Sequence, residues 1–118
     1  MVRYAFAIGL ASLAGYGLVP AKQAQCGSAP SAEQIARRRA GITTARQINT
    51  AEARSSAAGG KYVPLALLKG VTVPDGFDVQ VSTDGEGYTF SVKDAKDECH
   101  PAFFSDQTGL IYTGTPLQ

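Results

Sequence analysis

The sequence predicts an α+β domain, one long N-terminal helix packed on a three- to four-stranded antiparallel meander. Three observations predict it: a capped helical run over residues 31–58, two stretches of apolar–polar alternation over 77–92, and a Gly/Pro-bearing connector between them. No repeat or low-complexity segment interrupts this order.

The helix begins at Ser31, whose hydroxyl can accept an orphan N–H of the first turn, with Gln34 completing a capping box. Residues 32–58 are rich in Ala, Arg, Gln and Glu, all good helix formers, and Gly59-Gly60 closes the run. On a helical wheel Ile42, Ala45, Ile48, Asn49 and Glu52 share one side, with Ile35 at its edge. At 1.5 Å per residue this helix would be about 40 Å long. That is more than so small a domain can bury, so its N-terminal half is expected to project. Glu52, on the apolar side, is expected to cap a loop or pair with an arginine. Arg37, Arg38 and Arg39 point in three directions and read as a solvated face.

Pro64 to Gly70 reads as a short helix whose leucines tuck against the domain, followed by a connector ending in the turn dipeptide Asp75-Gly76. Phe77, Val79 and Val81 alternate with polar residues, and Tyr88, Phe90 and Val92 alternate again after the turn Asp84–Gly87. Ala102–Asp106 and Leu110–Thr113 make a last hairpin. Ile42, Ala45 and Ile48 are expected to face the two alternating strands across one interface.

Composition limits the function. The chain has 118 residues, 44% hydrophobic and 18% charged, as in an ordinary globular protein, and enough for one domain. A net charge of +1 gives no global pull toward nucleic acid. Arg3 precedes the uncharged stretch Tyr4–Val19, and Pro20 then breaks it, with Ala21 and Ala24 as small residues for a peptidase. Residues 1–24 therefore read as a signal peptide, or as a retained hydrophobic anchor. Residues 25–30 read as a polar leader, and 31–118 as the domain. Export would place the domain in the periplasm or outside the cell; a retained segment would tie it to the inner membrane, its sole membrane contact.

Little in the chain resembles a catalytic or cofactor site. His100 adjoins Cys99, but neighbours on an extended chain point to opposite sides, so no nucleophile–base pair forms, and His100 is expected to be dispensable. Asp94, Asp97 and Glu98 are three hard oxygen donors in one loop, a candidate for calcium against a plain charged loop. No cofactor is implied, since Asp84–Gly87 lies between strands and precedes no helix. Cys26 and Cys99 are an even pair, which an oxidising compartment would invite into a disulfide. A projecting helix start would hold Cys26 away from the sheet.

Several segments resemble the globular part of type IV pilins and type II secretion pseudopilins. They are residues 43–52, Gly60-Lys61-Tyr62, Leu65 to Leu68, Gly87-Tyr88-Thr89-Phe90, Cys99, Phe104-Ser105-Asp106 and Gly109-Leu110-Ile111-Tyr112. The resemblance implies a pilin-like roll, a structural role without catalysis, and partners among other pilin-like or envelope proteins. The N-terminus departs from that family: the Phe-Thr-Leu-Ile-Glu start is missing. The expectation is thus an exported pilin-like interaction module. The alternatives are a minor pilin or pseudopilin anchored by residues 4–19 in a type IV pilus or type II secretion assembly, and a small secreted hydrolase using His100.

Overall fold

A computed structural model describes Cys26 and residues 29–115. The proposed signal segment, residues 1–24, lies outside the described residues. The chain divides after Ser31, and everything below concerns the second unit, Ala32–Gln118. Among the described residues no helix is long and apolar enough to cross a membrane.

The architecture is α+β. Helix α1 (Ala32–Gly59) is followed by a single 3-10 turn at Leu65–Leu67 and four strands: β1 (Phe77–Thr83), β2 (Tyr88–Asp94), β3 (Ala102–Asp106) and β4 (Tyr112–Gly114). The strands form one antiparallel meander in chain order. Adjacent strands joined by tight turns give local, sequential pairing, the arrangement the turn residues favour. Leu110, expected in the last strand, precedes it and is 58% exposed.

The core sits between α1 and the inner face of the sheet. Ala45 and Ile48 meet Tyr88, Phe90, Val92 and Phe103, with Ile42, Phe77, Val79 and Val81 packed around them. Alternation along β2 leaves Tyr88, Phe90 and Val92 buried and Thr89 exposed, as a half-buried strand requires.

The helix face differs from the expected one in two ways. Gly41, Thr44 and Ala51 join the buried stripe, while Ile35 is 39% exposed. The reason is steric. A Cβ at Gly41 would come within 3.0 Å of ring carbons of both Phe103 and Phe77, so a small residue there lets two rings approach the helix. The N-terminal half of α1 does not project either. Gln34 and Arg37 bond to the 94–99 loop, so the helix is held to the domain well ahead of its apolar centre.

Candidate functional site

Two clusters concentrate the buried polar chemistry, one at each end of the helix–sheet interface. The first surrounds Asp94, which ends β2 and is 1% exposed. Arg37 grips it with two parallel bonds, Nε to Oδ2 and Nη2 to Oδ1, both 2.8 Å. This is the fork geometry that suits guanidinium and carboxylate. The Lys96 and Asp97 backbone N–H groups also donate to Oδ1. Burial by itself would raise the Asp94 pKa, but Arg37 and the two amides outweigh it and hold the carboxyl below its ordinary range. The same guanidinium donates to the Asp75 carbonyl and stacks over the Phe77 ring, 4.9 Å from its centroid.

The calcium candidate therefore has a different arrangement. Both Asp94 oxygens serve Arg37, Asp97 Oδ1 accepts from the Cys99 N–H and from Gln34, and Glu98 is exposed. Asp97 Oδ2 is buried without a hydrogen-bond partner. Among the described residues, no three His, Cys, Asp or Glu side chains stand together as a metal cluster. Arg37, read as solvated, is instead half of a partly buried ion pair. Its partner lies 57 residues along the chain, a distance at which spacing carries no signal.

His100 follows at a strained position, φ 46°, in the left-handed region that non-glycine residues seldom adopt. Its Nδ1 lies 3.4 Å from the Asp94 carbonyl oxygen. That neighbour can fix the ring but cannot take a proton from it, so the geometry supplies no acid–base partner. Cys99 is buried, and neither cysteine is a free thiol.

The second cluster surrounds Glu52, fully buried on α1. Its Oε1 accepts the Val63 N–H at 2.8 Å and so staples the connector to the helix, while Oε2 has no partner. Burial raises the Glu52 pKa, partly offset by the Val63 bond. Nearby, the Tyr88 hydroxyl donates to Asn49 Oδ1 at 2.6 Å, and burial pushes its pKa up to about 12. An acid with a raised folded pKa contributes most below its unfolded value, here about 4.5, and that contribution is lost as pH rises through the folded value. Glu52→Gln keeps an acceptor for Val63 and cannot ionise. Its stability relative to the parent should therefore rise from pH ~4.5 to neutrality. Glu52→Ala should instead lose about 1–3 kcal/mol, because the Val63 amide is left unpaired. Urea denaturation at the two pH values measures both; a Gln variant with a pH-independent difference would mean that Glu52 ionises freely.

A family model described as GvpH matches residues 2–108, and no curated protein or solved structure matches the chain. That match overturns the pilin and pseudopilin resemblance, because GvpH is a gas vesicle protein family. With it fall the pilus and type II secretion roles, the anchored-pilin and secreted-hydrolase alternatives, and the pilin-like or envelope partners. The periplasmic, extracellular or inner-membrane placement falls too. The physical reason is that a helix on a four-stranded meander is a common layout, and matching its order of elements reports the fold and not the function.

Proposed function

Because the chain belongs to the GvpH family, a gas vesicle protein family, we propose that it is a non-catalytic interaction component of gas vesicles, acting in the cytoplasm with other gas vesicle proteins. The observation that carries this is the extent of the family match, which includes α1, the connector and most of the sheet. The polar clusters agree with a non-catalytic role. Arg37, Asp94, Gln34 and Glu52 spend their hydrogen bonds fastening the fold, and His100 faces a carbonyl where a catalyst would need a base or an orienting carboxylate. The surface offers material for contacts. Phe104 and Tyr112, 45% and 58% exposed, stand side by side on the outer face of the sheet. The bonded state of the cysteines pulls the other way, since cytosolic proteins keep thiols reduced. Fractionation is therefore the deciding measurement for compartment.

The test is affinity capture of the tagged full-length chain from gas-vesicle-producing cells, with mass spectrometry of what comes down and fractionation of the cells. Gas vesicle proteins should be enriched, and the chain should be found in the cytoplasmic fraction. Enrichment of envelope or pilus components, or recovery of the chain in the periplasm, would sink the proposal.

A further inference from the structure

Along α1, beside the connector, the structure carries a feature used by neither buried cluster. A cleft of about 290 Å³ runs between the helix and the connector, lined by Thr43, Arg46, Gln47, Thr50, Arg54 and Lys69. The helical members recur at intervals of three and four, so they form a single stripe. Three of the lining residues are cations and none is an acid. Ion pairs among the described residues join Arg37 to Asp94 and Lys96 to Asp75, and Arg46, Arg54 and Lys69 belong to neither. Among the described residues, no carboxylate is paired with any of the three.

The cleft is also built. Gln47 accepts the Thr72 N–H and Thr44 donates to the Thr72 carbonyl, both at 2.8 Å, while Glu52 holds Val63. The connector that bears Lys69 is thus hydrogen-bonded to the helix on either side of it. Two walls with fixed spacing present cations and hydroxyls to one trough, so part of the ordering cost of binding is already met.

We propose that this cleft binds an acidic segment of a protein partner, through Arg46, Arg54 and Lys69. The inference rests on the gas vesicle reading only for the expectation that the partner is a protein. Dimensions favour an extended peptide. Arg46 and Arg54 lie about 12 Å apart along the helix axis, close to the span of four residues of extended chain at about 3.3 Å each. Carboxylates at alternate positions of such a strand would reach both arginines from one face. A nucleic acid is disfavoured: the chain's net charge of only +1 supplies no long-range field to hold a polyanion beyond the cleft.

The experiment titrates the full chain into a fluorescein-labelled octaglutamate peptide and reads fluorescence anisotropy. Saturable binding is expected, weakening several-fold between about 0.05 and 0.3 M salt as the charges are screened. Arg46→Glu/Arg54→Glu should weaken binding about tenfold or more, as two attractions become repulsions. The control, Arg39→Glu/Lys93→Glu, makes the same change in net charge at exposed positions outside the cleft and should stay within about twofold of the parent. Lys69→Glu tests the other wall and substitutes for the helix variant should its circular dichroism differ from the parent's. Absence of saturable binding, equal loss in both double variants, or tighter binding of an oligothymidylate of equal length would overturn the proposal. Because the peptide is synthetic, those outcomes leave the gas vesicle reading to its own capture experiment.

Discussion

Phe90→Ala is expected to leave the domain largely unfolded or much less stable, while Arg39→Ala leaves its stability nearly unchanged. Phe90 is 4% exposed at the centre of β2, paired in register with Val81 on one side and Ser105 on the other. It is packed into the core with Ala45, Ile48 and Phe103 and lies parallel to the Tyr88 ring at 6.2 Å. Truncating a buried Phe to Ala costs about 3–5 kcal/mol, through lost transfer energy and the cavity left behind. Domains of this size are held by about 5–15 kcal/mol in all, so the loss is a large share. Arg39 is exposed and takes no part in the ion pairs. Chemical denaturation of the two variants measures the contrast. Equal midpoints would mean that α1 does not lie on this sheet.

Asp94→Ala is the second large effect expected, at about 3 kcal/mol, the lower end of the range for removing one partner of a buried pair. The lower end applies because Arg37 keeps 22% of its side chain in contact with solvent. The substitution removes four hydrogen bonds at once: two from Arg37 and one each from the Lys96 and Asp97 amides. It also loosens the N-terminal half of α1, which keeps Gln34–Asp97, the Arg37 bond to the Asp75 carbonyl and the Arg37 contact with the Phe77 ring. The pH dependence has the opposite sign to that of Glu52. The folded pKa of Asp94 is lowered, so its contribution is present above the ordinary value of 3.8 and is lost as pH falls through the folded value. The parent should lose stability as the medium is acidified below that point, and the Ala variant should lack that part of the loss. Parallel acid-unfolding curves for the two proteins would show that the ion pair contributes nothing. Arg37→Lys should rescue little, because an ammonium cannot make the paired bonds to Asp94.

The fold was legible because its signals are local. Alternation at Phe77, Val79 and Val81, and again at Tyr88, Phe90 and Val92, identifies both the strands and their inner faces. Ser31 and Gly59-Gly60 bracket a helix seen at Ala32–Gly59. Glu52 was readable in part, since a carboxylate on an apolar stripe has to find a donor, though which amide it holds was not. The polar clusters were mostly illegible, because each joins residues distant in sequence. Arg37 in an arginine run resembles its neighbours until Asp94 is brought to it. The cleft is the same case: Arg46 and Arg54 look like surface charges until the connector places Lys69 beside them.

By itself, then, the sequence determined the class of the fold, the order of its elements and most of its core, since periodicity and capping act over a few residues. Tertiary structure decided which small residues admit the Phe77 and Phe103 rings, where the charges of α1 are spent, and which remain available. Those outcomes depend on long-range packing, to which local patterns are blind. The family relation came from neither local pattern nor architecture. A helix on a meander can serve many functions, and the ordered likeness to pilins reflected that shared layout. The match across residues 2–108 spans most of the chain, and that extent, not the order of elements, carries the family relation.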